Sequence, residues 1–381
     1  MRNNPKNKIK IAIVHDWLVT YAGAEKVLEN IIEVFPNADI FSLIDCVENS
    51  DRRFLHNKDV KTSFMQLIPN IKKIYRKLLP IMPFAIQTFN LRKYNLIISS
   101  SHAVAKGVIT NTNQLHICYC HTPMRYAWDM KEQYLKQAGL SSGILSKAVR
   151  FILDLINKWD KKNSIDVDYF ISNSDFIKER IQNCYQRESY TIYPPVDILK
   201  FKNSNIKKNY YFTFSRFVPY KNIDLIARAF ATYFPNKKLI IAGAGPDYEK
   251  IKFYESENII LKGFLNDKDL IEYLSSAKAY IFAAKEDFGI VNVESQAAGT
   301  PVIAYGEGGS KETIVNISEE NPTGVLYYKQ DMESIRDAVF EFEKNYELFK
   351  KVNLEKNSKR FSVEVFKSEL LNFVEKKLLK S

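Results

Sequence analysis

Two acids, Glu286 and Glu294, stand eight positions apart in AAKEDFGIVNVESQAAGTPVIAYGEGGSKE, which runs from Ala283 to Glu312. One glycine, Gly289, lies between them. Glycine lets backbone pass close to a ligand, and the first amides of a helix beginning at Ile290 would point outward as an anion site. Glu294, about one helical turn inside, could accept hydrogen bonds from a ribose diol. Glu286, before the turn, would sit beyond the phosphates, where a transferred group would hang. An acid at each end of a phosphate cradle suits a nucleotide-sugar better than a bare nucleotide. On spacing alone, a solvated loop acid and a helix-surface acid is the commoner arrangement.

Three further stretches change that balance. SRFVPYKNIDLIARAF places Arg216 just after a strand and Lys221 five residues on, at a helix start. Cations at a strand's carboxyl end can clamp a diphosphate, Arg by its fork and Lys as a point charge. IAGAGPD gives Gly243 and Gly245 after another strand, a tight turn open to a base or ribose, though turns use Gly and Pro everywhere. HDWLVTYAGAEKVL leads from the first strand through Gly23 into a helix, a second place for close approach to phosphate.

The elements that must position these residues alternate along the chain. Strands are expected at 9–15, 95–100, 115–120 and 169–173, with helices at 25–34 and 175–184. After Tyr193-Pro194-Pro195 the polar stretch 200–209 reads as a linker. The alternation then restarts: strand 210–214, helix 222–234, strand 238–243, helix 269–276, strand 279–284, helix 291–298, strand 301–305. Short apolar strands alternating with helices imply parallel sheets covered on both faces. Two such series predict an α/β protein of two Rossmann-like domains facing one another. Ligands of open α/β sheets bind beyond the carboxyl ends of the strands. The candidate residues fall there.

Composition agrees. At 381 residues the chain is long enough for two cores, and 46% hydrophobic content excludes disorder. A net charge of +11 favours anionic partners. Cys46, Cys118, Cys120 and Cys184 lack zinc spacing and read as reduced, mostly buried thiols of a cytosolic protein. No secretory leader opens the chain, and no apolar run approaches the roughly 18 residues of a membrane span.

The acid pair, the Arg216–Lys221 pair, the Gly-Ala-Gly-Pro turn and the Gly23 loop together resemble the retaining family 4 glycosyltransferases of GT-B fold. The resemblance covers nearly the whole chain. In the N-terminal half, HDWLVTYAGAEKVL, LLPIMPFAIQTFNLRKYNLIISSSHAVAKGV and CHTPMRYAWD resemble bacterial mannosyltransferases of O-antigen and exopolysaccharide assembly, and YPPVD at 193–197 fits that subgroup. It implies two facing domains with a cleft between them: an acceptor domain at 1–197, a donor domain at 198–362, and a C-terminal helix at 363–381 packing back on the first domain. It further implies that Arg216 and Lys221 neutralise the donor diphosphate and stabilise the departing nucleotide. Glu286 would bind hydroxyls of the transferred sugar, with backbone at Phe288, Gly289, Ile290 and Val291 on the phosphates. Glu294 would hold the ribose, Gly23 would abut the pyrophosphate, and His121 would stand beside the sugar. The implied reaction moves mannose from GDP-mannose, or a sugar from a UDP or dTDP donor, to a polyprenyl-diphosphate-linked glycan. No paired-Asp metal motif follows a strand, so no metal is expected.

Other assignments stay open. His102 also follows a strand and competes with His121 for the sugar side. His15 and Asp16 could contact the acceptor or cap a turn. Arg125, Tyr126, Trp128 and Asp129 form a polar and aromatic loop that could bind sugar, or Trp128 could simply pack. In IPNIKKIYRKLLPIMPFAIQT, Lys72, Lys73, Arg76 and Lys77 alternate with aliphatic residues. Such a segment can lie on anionic lipid at the inner face of the cytoplasmic membrane, or pack as a helix with a solvated basic face. A dinucleotide oxidoreductase is disfavoured because no G-x-G-x-x-G follows the first strand. Nucleic-acid binding lacks a stacking platform or zinc module. A non-catalytic sugar-nucleotide binder would tend to lose Glu286, Arg216 or Lys221.

Overall fold

The computed structural model describes residues 9–128, 131–137, 139, 142–201 and 206–380. It divides into two compact units, residues 1–193 with 367–381, and residues 194–366.

The first unit is built on a parallel sheet of seven strands: β1 (Ile11–His15), β2 (Asp39–Ser42), β3 (Val60–Thr62), β4 (Leu96–Ser101), β5 (Leu115–Cys120), β6 (Tyr169–Ser172) and β7 (Ser189–Thr191). Their spatial order is β3-β2-β1-β4-β5-β6-β7. The order therefore reverses between β1 and β4, the point where the strand ends open a crevice. β4 and β5 are buried at every residue. Such strands, covered on both faces, favour the continuous apolar character that LHICYC largely has, whereas LIISSS is apolar only in its first half and ends in three buried serines. The register sets His15 beside Ser100 and Ser100 beside Tyr119.

The second unit repeats the plan with β8 (Tyr210–Arg216), β9 (Lys238–Ala244), β10 (Ile259–Gly263), β11 (Ala279–Phe282), β12 (Val302–Tyr305) and β13 (Gly324–Tyr327). The order is β10-β9-β8-β11-β12-β13, all parallel, with the reversal between β8 and β11. Its core joins Tyr211, Phe230, Ile241, Ile281, Ile303 and Phe342.

Most expected elements are present within a residue or two, with β8 two residues longer than expected, so that Arg216 is its last residue. The short strands β2, β3, β7, β10 and β13 and the long helix Ile144–Asn163 were not anticipated. The expected linker 200–209 overlaps the undescribed residues 202–205, and beyond them Lys208 N–H already donates to the Ser276 carbonyl at 2.7 Å. The boundary between units lies earlier, at Tyr193. The C-terminal helix Val363–Leu378 anchors on the first unit: Lys367 pairs with Glu33, and Lys377 Nζ lies 3.9 Å from the centroid of the Tyr169 ring.

Candidate functional site

At the switch point of the second sheet the loops after β8 and β11 carry the expected cations and acids. The chain leaves β11 through Ala283–Asp287 and turns at Gly289, whose φ is +81°. That φ favours glycine; a Cβ there would also lie 2.8 Å from the end of the Asn292 side chain, which would have to shift. The helix Ile290–Ala297 follows; Asn292 N–H already donates to the Gly289 carbonyl at 2.9 Å, which leaves the amides of Ile290 and Val291 as those with no partner in the helix's own turns. Glu294 lies within this helix and is buried. Glu286, half-buried, forms an ion pair with Lys221. Lys221 ends a short turn, Pro219–Lys221, just before the helix Ile223–Tyr233, and Asn222 Nδ2 donates to the Ala283 carbonyl at 3.4 Å. That link ties the cation's turn to the acid's loop. Arg216 is exposed at the tip of β8.

The glycines around this pair have structural causes that the sequence did not reveal. Gly308 has φ +70°, and a Cβ on it would stand 2.2 Å from the Glu286 carbonyl oxygen. Glu286 and Gly308 form an isolated bridge, and Gly309 N–H donates to the Glu286 carbonyl at 2.9 Å. The loop after β12 thus presses directly on the backbone that presents Glu286. Gly243 and Gly245 have a structural need for glycine as well: a Cβ at either would meet backbone, Ser215 oxygen at 1.9 Å and Phe217 oxygen at 2.3 Å. Their backbones hold the turn that follows Arg216, with Phe217 N–H donating to the Ala244 carbonyl at 2.8 Å. Phe264, 85% exposed just past β10, is an aromatic at a strand's carboxyl end that the sequence reading did not single out.

At the switch point of the first sheet three histidines gather. His15 ends β1, His102 follows β4 and His121 follows β5, with ring centroids 6.3 Å apart for His15–His102 and 6.2 Å for His102–His121. The two rivals for the sugar side are therefore neighbours. Asp16 is fully buried and accepts backbone hydrogen bonds from His102, Ala103, Val104 and Ala105 at 2.6–3.0 Å. Four amides saturate its oxygens, so it caps the turn after β4. His102 Nδ1 lies 3.0 Å from the same carboxylate. Burial lowers the His102 pKa despite Asp16, with His15 and Arg125 adding to the effect. His121 is held well below the usual imidazole range by burial first, then by His102 and His15. Gly23 opens the helix Gly23–Val34, where Glu25 accepts from the Ala22 amide at 2.9 Å.

Trp128 packs: its Nε1 donates to Asp160 at 2.8 Å and its ring meets Tyr185 edge-on. Asp160 also pairs with the buried Lys106 and accepts from Tyr185 Oη at 2.7 Å. Arg125 and Tyr126 are half-buried in the same loop. Asp129 lies outside the described residues.

The basic segment is a broken run of short helices, Ile71–Ile74, Tyr75–Leu78 and Met82–Gln87, with Ile71, Tyr75, Met82, Ala85 and Ile86 in the core. Lys72 pairs with Glu48 at 2.9 Å, and Lys73, Arg76 and Lys77 face out. Nearby Phe64, Leu67, Ile81 and Phe84 are also exposed, Leu67 by 84% and Phe84 by 66%. No helix among the described residues is long and apolar enough to cross a membrane. The one grouping of metal-type side chains found among them, Glu29, Glu33 and His56, involves no residue of either switch point, and Tyr21 and Lys367 already engage its carboxylates.

Residues 197–361 match the family model of glycosyl transferases group 1. An uncharacterized glycosyltransferase of Methanocaldococcus jannaschii is 30% identical over 53% of this chain and 59% of its own. A GDP-mannose-dependent monoacylated alpha-(1-6)-phosphatidylinositol monomannoside mannosyltransferase of Corynebacterium glutamicum is 30% identical over 33% of this chain and 36% of its own. The chain thus spans little more than half of the first relative and about a third of the second. HepE of Anabaena, solved in complex with UDP, shares the fold over 97% of this chain and all of its own, with a TM-score of 0.69 at 17% identity. The fold is GT-B, and these findings support the group 1 glycosyltransferase family.

Proposed function

We propose that this protein is a retaining glycosyltransferase that moves mannose from GDP-mannose to a polyprenyl-diphosphate-linked glycan in O-antigen, capsule or exopolysaccharide synthesis. The Lys221–Glu286 ion pair at the second switch point carries this reading. It couples a cation suited to a diphosphate with an acid suited to sugar hydroxyls, beside the amides that open the helix at Ile290. The Corynebacterium mannosyltransferase supports the mannose donor. The UDP in the HepE complex favours the second reading, a UDP-sugar donor with the same chemistry.

In the proposed step the bond between the anomeric carbon and the donor phosphate oxygen breaks. The acceptor hydroxyl oxygen bonds to that carbon on the same face, and its proton passes to the departing phosphate. Negative charge grows on the diphosphate, where preorganised cations and amides act most strongly. Arg216 and Lys221 supply the positive charge, so no metal is required, and a chelator should leave turnover unchanged. Glu286 aligns the transferred sugar, Glu294 holds the ribose, and His121 offers a hydrogen-bonding group to a sugar hydroxyl. Lys73, Arg76 and Lys77, flanked by exposed Leu67 and Phe84, suit an anionic lipid surface that would also present the acceptor. A screen of GDP-, UDP- and dTDP-sugars that reads nucleoside diphosphate release tests the donor assignment. Release should be strongest with GDP-mannose; preference for a UDP-sugar would select the second reading.

A further inference from the structure

One line of polar side chains crosses the first unit from a helix terminus to His121. Glu25, His15 and Ser100 are all buried. Glu25 Oε1 lies 3.6 Å from His15 Nε2, His15 Nδ1 lies 3.1 Å from Ser100 Oγ, and Ser100 Oγ lies 2.9 Å from His121 Nε2. The four residues belong to four different elements: the helix after Gly23, the ends of β1 and β4, and the loop after β5.

We propose that Glu25, His15 and Ser100 act as positioning residues that fix the tautomer of His121, so that His121 keeps its hydrogen on Nε2 and presents Nδ1 as an acceptor to a sugar hydroxyl. The sugar contact rests on the reading of His121 given above; the tautomer does not.

Proton counting carries the argument. Glu25 accepts from the Ala22 amide, as an ionised carboxylate does at a helix N-terminus. At 3.6 Å the His15 nitrogen facing that carboxylate, Nε2, makes no hydrogen bond to it, but the buried negative charge favours the tautomer with hydrogen on Nε2. A neutral imidazole has one, so His15 Nδ1 accepts, and Ser100 must donate to it. A serine hydroxyl has a single hydrogen. Ser100 Oγ can then only accept from His121, which puts the hydrogen of His121 on Nε2. The opposite order would require a His15 imidazolium, with hydrogen on both nitrogens, and would place the hydrogen of His121 on Nδ1. His121 itself stays neutral in its buried setting beside His102 and His15.

Long-range proton–nitrogen correlation spectra of the full chain, labelled at its five histidines, read the tautomer directly at about pH 7.5, above the ordinary imidazole range. Wild type should show His121 Nε2 protonated and Nδ1 bare. Ser100→Ala should mix the two tautomers, and Ser100→Thr, which keeps a hydroxyl, should restore the wild-type pattern. Ser100→Ala should also lower kcat roughly tenfold, as expected for one misdirected hydrogen bond, with Ser100→Thr closer to wild type. A wild-type His121 protonated on Nδ1, or a tautomer unmoved by Ser100→Ala, overturns the proposal. A tautomer that moves as described while kcat stays unchanged overturns the sugar contact of His121 and leaves the tautomer assignment standing. The wild-type spectrum decides the tautomer even if a variant fails to fold.

Discussion

Lys221 and Glu286 pair across the switch point of the second sheet, the cation from the turn after β8 and the acid from the loop after β11. Each neutralises the other where water is partly excluded, so removing one leaves the other's charge uncompensated. Lys221→Ala and Glu286→Gln should therefore be non-additive. The double variant should lose less kcat/KM than the two single losses combined, with a coupling on the order of 1–2 kcal/mol. Additive losses would show that the two side chains act independently.

Arg216 stands exposed at the end of β8, held there by the backbone of the turn that Gly243 and Gly245 make possible. Arg216→Ala should remove roughly 2–4 kcal/mol of transition-state stabilisation, by analogy with loss of one oxyanion donor, while the melting temperature stays near wild type. Retention of more than about a third of wild-type kcat/KM would contradict a role on the leaving diphosphate.

The two acids should separate kinetically. Glu286→Gln should lower kcat severely, because the proposed contact of its carboxylate with the sugar lies where charge redistributes. Glu294→Gln should mainly raise KM for the donor, since a ribose contact is much the same in ground and transition states. A common rise in KM with kcat untouched in both variants would refute that division of roles.

Much of this was legible in the sequence. Buried parallel strands announce themselves as apolar runs, and β5 falls at Leu115–Cys120 as expected. The edge strands β3 and β7, of three residues each, carry too little pattern to be seen. The acids and cations were legible because they follow strong strands. Their connections were not: the Lys221–Glu286 pair and the pressure of Gly308 on the Glu286 carbonyl join residues far apart in sequence. Asp16 could not be resolved between acceptor contact and turn cap, because its four amide partners lie 86 to 89 residues away. Trp128 was open for the same reason, its anchor being Asp160 on a helix that the sequence reading passed over.

The exposed cations Lys73, Arg76 and Lys77 and the apolar Leu67 and Phe84 make separate contributions to the proposed lipid contact. The protein should pellet with anionic vesicles and release as salt rises. Changing Lys72, Lys73, Arg76 and Lys77 together to Gln should leave it in the supernatant, while activity on a water-soluble acceptor mimic survives. Leu67→Asp with Phe84→Asp should weaken whatever binding persists at high salt. A parent protein that ignores anionic vesicles would reduce the segment to a packed run with a solvated basic face.

Acid should destabilise the native state through its buried histidines. Burial, with a smaller effect of Lys106, pushes His116 down to about 4. Its folded value lies below its unfolded one, so the unfolded chain binds more protons and stability falls as pH drops from about 6.5 towards 4. His116 alone should cost about 3 kcal/mol by pH 4. His102 and His121 shift in the same direction. Denaturant unfolding of wild type and His116→Gln across that range should show a flatter pH dependence in the variant. Parallel curves would exclude His116 as a source of the acid lability.

The most direct measurement is transfer itself. The purified protein is incubated with GDP-mannose and a polyprenyl-diphosphate-linked acceptor, and both GDP release and the anomeric configuration of the new linkage are read. The expected result is acceptor-dependent GDP release with an α-linked product from the α-linked donor, strongly reduced in the Lys221→Ala and Glu286→Gln double variant. A β-linked product, or no nucleoside diphosphate released from any GDP-, UDP- or dTDP-sugar, would contradict retaining glycosyl transfer.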